Sequence, residues 1–507
     1  MPTLSKSKII AYRQCPKRLW LEVNKPELRE DSPSSQTKFR VGNQVGELAR
    51  QIYDSRRTGA TIASQRDGFP KAFVQTGELL AQADRPIFEA GFRIEGALAF
   101  ADILLPVKKG RGQAWKMVEV KSSTVVKDYH KDDIAVQSHI AVASGVNVES
   151  VALACIDSKW VYPGDGDYSG LLRETDLTEE TLARSSEVEG WIAAARKVAD
   201  QRQEPKVATG DHCHTPFDCG FCNYCNRGTV KPTYPIDWLP KLGTKKLAEL
   251  KKQGIDDLRH VPDAMLNQKQ KRIKKHTLAG TVYFDRAGAK ADLVRHGFPA
   301  LFLDFETVTM AVPIWKGTRP YQQIPFQFSL HRLTALNEVS HVGFLDLSGH
   351  DPSQDFAQAL IAACSKDGPI FVYHAQFEKQ RIQELALQYP KLSKALLSLL
   401  PRVVDLLPIA RKRYYHHAQH GSWSLKDVLP AAVPSLNYSS LSGVQNGGQA
   451  IEAFQEAISP TIKPARKEEI QRQLEAYCRL DTLAMLRLWH LFSGRIGAVP
   501  EDPQGVE

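Results

Sequence analysis

The chain has no uninterrupted apolar run near the ~18 residues that a membrane helix needs, which excludes an integral helical membrane protein and leaves no membrane partner expected. Its first residues, Met1-Pro2-Thr3-Leu4-Ser5-Lys6, lack the apolar centre of a secretory signal, so the expected location is the cytoplasm. No internal repeat or low-complexity tract is evident, which excludes a solenoid or a long disordered tether as the plan of the molecule. Disulfide-type cysteine usage is missing as well. Of eight cysteines, Cys155, Cys364 and Cys478 sit in apolar contexts expected of buried thiols, leaving Cys15 and the cluster Cys213, Cys219, Cys222 and Cys225. In a cytosolic protein such a cluster points to a metal or iron–sulfur site rather than a disulfide framework.

Charge is present but unevenly spread. The net +9 is modest for 507 residues, yet Arg227 to Arg295 holds 16 Lys/Arg against 7 Asp/Glu, a local excess equal to that of the whole chain. A polyanion is the expected partner, phosphate backbones being the commonest one. A solvated linker is the bland alternative.

The length implies more than one domain. Residues 1–228 read as an α/β unit, with helical patterns at Ile9–Leu21 and Phe39–Tyr53 and strand-like runs at Ile94–Leu105 and Trp115–Lys121. A helix near Asp133–Ala143, a strand at Val151–Ile156 and a helix from Leu177 to about Arg202 follow. Residues 229–295 form a small basic helical segment, with Thr244 expected as a helix N-cap and Gly254 as a stop. In residues 296–507 strands come early (Ala300–Phe305, Phe326–Leu333, Val339–Leu347). A helix at Asp355–Cys364, a strand at Ile370–Tyr373 and helices at Phe377–Leu387 and Lys467–Phe492 complete it. The expected fold class is a multidomain α/β protein with a mixed sheet in its last unit.

Two acidic constellations carry chemistry. In Phe302-Leu303-Asp304-Phe305-Glu306-Thr307, Asp304 and Glu306 stand two apart in an apolar run, so a strand projects both from one face. Tyr477 and Asp481 stand four apart in a helical pattern and share a helix face. Glu378 opens a helix just after a buried strand and supplies a further carboxylate. Buried carboxylates repel unless cations join them, and two divalent metals clamping a phosphodiester do so. Asp405 is read as a strand-end hydrogen bonder rather than a fifth ligand. The run Arg411-Lys412-Arg413-Tyr414-Tyr415-His416-His417 mixes cations with aromatics as a single-strand groove would, or forms a solvated helix face.

These three segments resemble the motifs of DnaQ-like DEDD 3′→5′ exonucleases of the tyrosine subtype, whose third motif is Tyr-x-x-x-Asp. The resemblance implies an RNase H-like domain in which Asp304, Glu306, Glu378 and Asp481 hold Mg²⁺ or Mn²⁺ and Tyr477 orients or helps deprotonate the attacking water. The second motif of that family carries Asp, where this chain has Glu378 with one more methylene.

The other constellation is Asp102 with Glu119-Val120-Lys121, in which Glu119 and Lys121 alternate to one strand face and Asp102 lies on the preceding strand. A carboxylate pair for a metal plus a lysine near the phosphate is the minimum for metal-assisted phosphodiester hydrolysis. A surface ion pair between Glu119 and Lys121 is the structural alternative. With Gln137 on the following helix, the set resembles the PD-(D/E)XK restriction-endonuclease-like fold of RecB-like nucleases. That resemblance implies Asp102 and Glu119 as metal ligands, Glu47 as an upstream one, and Gln137 as the helix residue. The family's Gln-x-x-x-Tyr is here Gln137-Ser138-His139-Ile140-Ala141, without the tyrosine. RecB-like nucleases of the CRISPR-associated type bind a four-iron–four-sulfur cluster through one early cysteine and three late ones. Five cysteines compete for four places, and the assignment taken is Cys15, Cys213, Cys219 and Cys225 with Cys222 as the spare. Zinc, with His212 or His214 as a ligand, is the rival.

Between them, Leu239-Pro240-Lys241-Leu242-Gly243-Thr244-Lys245-Lys246 followed by Gly254-Ile255 resembles a helix-hairpin-helix element, which aims backbone N–H groups at phosphate; a helical spacer is the alternative. The order as a whole resembles a bacterial family that fuses a RecB-like iron–sulfur nuclease to an RNase H-like exonuclease. It implies a metal-dependent nuclease acting on single-stranded or flapped DNA, exonucleolytic at the second site and cutting or trimming at the first. RNA processing is one alternative, and a nucleic-acid-binding scaffold with inactive sites is another.

Overall fold

The computed structural model describes residues 2–82, 84–109, 112–228, 232–364 and 367–495. The chain divides into two compact units: Met1–Thr229 with Met310–Tyr321, and Val230–Thr309 with Gln322–Glu507. The expected boundary after residue 228 falls beside residues 229–231, and the last twelve residues of the expected 296–507 domain likewise lie outside the described ones. Among the described residues no helix is long and apolar enough to cross a membrane.

The first unit is built on a seven-stranded mixed sheet. Its strands are β1 (Leu4–Ser5), β2 (Ala60–Thr61), β3 (Ile87–Ile94), β4 (Ala97–Lys109), β5 (Gly112–Lys121), β6 (Val148–Ile156) and β7 (Leu172–Asp176), in the order β2-β3-β4-β5-β6-β7 with β1 beside β4. The pairs β3–β4 and β4–β5 are antiparallel, whereas β5–β6 is parallel. A parallel pair needs a crossover, and helix Asp128–Ala143 provides it. That helix buries Ala135, Val136, Ile140 and Ala141 against Trp115 and Met117 of β5 and the alanines of β4, with Trp191 and Ile192 of helix Ser185–Ala199 in the same core. The two-residue period then places Glu119 and Lys121 on the face that Trp115 and Met117 share. On the opposite side Val118, Ile103 and Ala152 pack with Ala49 of helix Pro33–Tyr53.

Two helices expected as continuous are broken. Ile9–Leu21 becomes Lys6–Gln14 and Pro16–Asn24, because Pro16 disfavours helical geometry in the residue before it and Cys15 is extended at φ −161°. Leu177–Arg202 becomes Thr178–Leu182 and Ser185–Ala199.

The second unit holds β8 (Val282–Phe284), β9 (Ala300–Val308), β10 (Ile324–Leu333), β11 (Val339–Leu345), β12 (Ile370–Val372), β13 (Val403–Asp405) and β14 (Tyr414–His416). Five form one sheet in the order β11-β10-β9-β12-β13, and β8 with β14 forms a separate ribbon. The first three strands pair antiparallel, and β12 and β13 add in parallel beside β9. Central β9 is covered on both faces, which is why it reads as a nearly continuous apolar run. Leu301, Leu303 and Phe305 pack with Phe356, Leu360, Ile382 and Leu385 of the helices on one side. Ala300 and Phe302 face the other side, where Met485, Leu488 and Trp489 of the long helix Pro464–Ser493 lie. Phe302 stacks on Phe371 at 5.5 Å and meets Trp489 edge-on at 5.9 Å.

The basic segment 229–295 is no detached linker in this structure. Ile236, Leu239, Leu250, Leu258, Ile273 and Leu293 share the core of Phe302 and Trp489. Its helix Thr244–Lys252 is capped by Gly243 rather than Thr244; Gly243 takes the left-handed φ of +83° that glycine tolerates.

Candidate metal centres

On β9, parity with Ala300 and Phe302 puts Asp304 and Glu306 on the long-helix side. That helix is held in register against β10 by buried polar contacts. Thr482 Oγ1 meets Ser329 Oγ at 2.7 Å and His331 Nδ1 at 2.8 Å, and Gln327 Nε2 donates to the Leu474 carbonyl at 2.8 Å. Tyr477 and Asp481 therefore face β9. Among the described residues, Asp304, Glu306 and Asp481 are the one group of three potential ligands whose oxygens lie within 4.8 Å of one another. Glu378, the fourth carboxylate, is buried at the start of helix Gln376–Gln388, with Oε2 lacking any hydrogen-bond partner. Asp405 sets this helix start: it accepts from the His374, Ala375 and Leu407 N–H groups at 3.0, 3.1 and 2.9 Å, acting as the strand-end hydrogen bonder.

The electrostatics are those of carboxyl groups crowded together in a buried site. Burial, then repulsion from Asp481, pushes Glu306 up to about 8, and burial, with a smaller contribution from the charge of Asp405, brings Glu378 to about 8. Burial and the three neighbouring carboxylates hold Asp304 well above the usual carboxylate range. Asp481 rises less, to about 6, because the Tyr438 hydroxyl donates to its Oδ1 at 2.5 Å and Tyr477 also hydrogen-bonds it. Burial beside these carboxylates raises the Tyr477 phenol far above 10, so in the metal-free protein it is a neutral O–H group. Lys426 faces the cluster with Nζ 5.0 Å from the Tyr477 ring centre and 5.3 Å from that of Tyr438. Lys426 and Tyr438 carried no motif signal, since each reaches the site from connecting structure between β14 and the long helix.

An all-oxygen donor set of this kind suits a hard divalent ion such as Mg²⁺ or Mn²⁺. The orphaned Glu378 oxygen adds an unused donor.

In the first unit, Asp102, Glu119, Lys121 and Gln137 come together, but not as expected of open metal ligands. Lys6, the first residue of helix Lys6–Gln14, inserts its ammonium among them. Nζ donates to Glu119 Oε1 at 2.9 Å, Gln137 Oε1 at 2.7 Å and Asp133 Oδ2 at 3.4 Å. Lys121 Nζ donates to Glu119 Oε1 at 2.7 Å and Asp133 Oδ2 at 2.5 Å. The Glu119–Lys121 pair is thus a buried network, not a surface ion pair, and Glu119 Oε2 and Gln137 Nε2 remain without partners. Asp102 accepts from the Val120 N–H at 2.8 Å, and burial beside Glu119 raises it to about 7. The two lysines hold Asp133 far below the usual range. Glu47 is exposed on helix Pro33–Tyr53 and joins no ion pair among the described residues. Asp133, four residues before Gln137 on one helix face, was legible from its spacing. Lys6 was not, because only the two-residue pairing of β1 with β4 brings it there.

The five clustered cysteines line one small cavity together with Arg18 and His212. The break at Pro16 puts Cys15 between two helices, and Cys213 receives the Cys219 N–H on its carbonyl at 2.8 Å. Cys222 and Cys225 bracket a single helical turn. Cys222 donates its thiol to the Cys213 carbonyl at 3.8 Å, and burial raises it to about 12; burial raises Cys219 and Cys225 as well. His214 pairs with Asp218 and does not line the cavity. Among the described residues no three of these thiols lie within 4.8 Å of one another. Cys155, Cys364 and Cys478 are buried and form no disulfide.

Comparison with known sequences adds two findings. The family model of a domain of unknown function (DUF2779) matches residues 301–424, a stretch holding Asp304, Glu306 and Glu378 but ending before Tyr477 and Asp481. An uncharacterized protein of Mycoplasma genitalium is 25% identical over 210 residues, covering 37% of this chain and 31% of that protein. The chain spans about a third of the length of that relative. Neither description states an activity.

Proposed function

We propose that this chain is a metal-dependent nuclease whose principal centre is a DEDD-type exonuclease site in an RNase H-like domain. The observation that carries the reading is the convergence of Asp304, Glu306 and Asp481 oxygens within 4.8 Å, with Glu378 and Tyr477 beside them. The sheet order β11-β10-β9-β12-β13, antiparallel on one side of β9 and parallel on the other, supports the RNase H-like assignment. Asp304, Glu306, Glu378 and Asp481 would hold Mg²⁺ or Mn²⁺, which when bound acidifies water and stabilises a leaving oxygen. The chain's own residues do the positioning. Asp405 fixes the helix start that carries Glu378, and Tyr438 keeps Asp481 ionisable. The neutral Tyr477 O–H orients the attacking water, and Lys426 balances the charge of the carboxylates.

The strand order of the first unit and the Asp102, Glu119, Lys121 and Gln137 constellation support a RecB-like PD-(D/E)XK assignment. That five cysteines line one cavity supports a 4Fe–4S cluster there, for which Cys15, Cys213, Cys219 and Cys225 are the ligands proposed. A second reading for this unit alone is a non-hydrolytic binding module, favoured by Lys6, which occupies the carboxylates a metal would need. The substrate proposed is single-stranded DNA, with RNA as the competing class.

The test uses anaerobically purified protein with 3′- and 5′-labelled single strands and Mn²⁺. Stepwise 3′ shortening should vanish in Asp304→Ala and persist in Glu119→Ala/Lys121→Ala. A wild type that shifts both DNA and RNA strands without cutting either would overturn the enzyme reading.

A further inference from the structure

The helix Gln268–Ala279 and the turn of Arg411 and Lys412 carry a surface that the carboxylate site does not account for. One cavity of about 510 Å³ is lined by Lys241, Lys269, Arg411, Tyr373, His374 and Trp423, among others. A second, of about 750 Å³, shares Lys269 and Arg411 and adds Lys271, Arg272, Lys275 and Lys412. The two are therefore continuous along one side of the second unit. No Asp or Glu lines either of them.

The absence of acids is selective. Arg413, next in sequence to Lys412, is clamped by Asp285 and Asp292, and Lys274, next to Lys275, is paired with Asp263. Those cations serve the fold. Among the described residues Lys241, Lys269, Lys271, Lys275, Arg411 and Lys412 form no ion pair with a carboxylate. Crowding them together costs mutual repulsion, which Asp263 near Lys271 and Asp292 near Lys412 offset in part and a bound anion would relieve further. Lys269 shows the effect: burial, then the charges of Arg411, Arg272 and Lys241, lower its proton affinity. Flat groups lie under the cations, with Lys269 Nζ 4.0 Å over Trp423 and Arg272 4.3 Å over Tyr283. The aromatics expected of a surface at Tyr414 and Tyr415 are instead buried in the core. One end of the surface reaches Tyr373 and His374, which immediately precede the helix whose first turn carries Glu378.

We propose that this carboxylate-free basic surface is the track on which the backbone of a single nucleic-acid strand lies, delivering its end to the Asp304, Glu306, Glu378 and Asp481 cluster. The assignment rests on the nuclease reading for its destination but not for its binding chemistry. A row of cations with few base-reading groups binds phosphate without sequence preference.

The experiment measures binding of a fluorescent oligothymidylate to the full-length protein in EDTA, where nothing is cut. The charge-reversed Lys275→Glu/Arg411→Glu/Lys412→Glu is compared with Lys391→Glu/Lys394→Glu/Lys463→Glu, which carries the same charge change on other exposed lysines. The first should weaken binding roughly 30-fold or more and reduce the slope of log K against log salt by about 2, at ~0.7 per lost single-strand phosphate contact. The second should stay within about threefold of wild type. Hydrolysis of the p-nitrophenyl ester of thymidine 5′-monophosphate with Mn²⁺ needs only the carboxylate centre and should be unchanged in both. Equal binding by wild type and the first variant overturns the track, as does displacement of the strand by polyglutamate at equal charge concentration. Loss of binding in the first variant with no ester hydrolysis by wild type would keep the track and sink the nuclease reading instead.

Discussion

Asp304→Asn should raise the stability of the metal-free protein at alkaline pH while abolishing its response to metal. The oxygens of Asp304, Glu306 and Asp481 lie within 4.8 Å, so each ionised pair costs roughly 3.5 kcal/mol at an effective dielectric near 20. Asp304 belongs to two such pairs, and Lys426 offsets only part. The folded protein avoids the repulsion by keeping protons, with Glu306 near 8 and Asp481 near 6. A carboxyl raised in the folded state stabilises fully below its unfolded value of about 4, and that stability is lost as pH rises through the folded values. At about pH 5 the cluster is largely protonated and Asn replaces a neutral group, a change within about 1 kcal/mol. At about pH 8.5 the amide removes the repulsion, a gain of about 2 kcal/mol after solvent screening, or roughly 4–8 °C for a domain of this size. Mn²⁺ at about a hundred times its Kd should add some 2.7 kcal/mol to wild type and almost nothing to the variant. Scanning calorimetry in EDTA and in Mn²⁺ at both pH values reads all four numbers. Equal destabilisation of Asp304→Asn at the two pH values, or no metal effect on wild type, would refute the reasoning.

Four further outcomes follow from the same geometry. Tyr438→Phe removes the donor to Asp481, so the acid limb of metal-dependent activity should move to higher pH; an unmoved profile would show that Tyr438 does not tune this carboxylate. Lys6→Met strips one cation from Glu119 and Asp133 and should cost about 2–3 kcal/mol in chelator, restored by added Mn²⁺. If thermal scans show no restoration, the first unit accepts no metal in place of Lys6. On the proposed 4Fe–4S assignment, Cys225→Ser should abolish the cluster's visible absorbance in the anaerobic protein and Cys222→Ser should keep it; the reverse pattern would exchange the two cysteines as ligand and spare. Thr482→Val breaks the contacts to Ser329 and His331 and should cost about 2 kcal/mol in denaturant unfolding, whereas a neutral result would remove that network from the account of helix register.

What was legible in the sequence followed from short periods. The two-residue period of β9 put Asp304 and Glu306 on one strand face and the four-residue spacing put Tyr477 and Asp481 on one helix face; that the two faces meet was expected from the family resemblance rather than from either period. What was hidden depends on long-range pairing. Lys6 reaches Glu119 only because Leu4 and Ser5 pair with Ala97 and Leu98, and no local pattern announces so short a strand. The basic segment read as a linker because its charges dominate its composition. Its sparse apolar residues, Ile236, Leu239, Leu250 and Ile273, nonetheless suffice to enter the core of the second unit. Tyr414 and Tyr415 erred the other way, since flanking cations made core aromatics look like surface ones. Glu47 was placed by family resemblance alone, and its helix leaves it exposed.

The central claim is that the four carboxylates of the second unit act on a phosphodiester through bound metal. Its most direct test is single-turnover cleavage of a strand whose terminal linkage carries sulfur at one non-bridging oxygen. Hard Mg²⁺ ligates sulfur poorly and the softer Mn²⁺ does so better. The account predicts slow release of the terminal nucleotide in Mg²⁺, recovery in Mn²⁺, and no release by Asp304→Ala with either ion. Equal rates for oxygen and sulfur linkages in Mg²⁺, together with cleavage that survives Asp304→Ala, would contradict it.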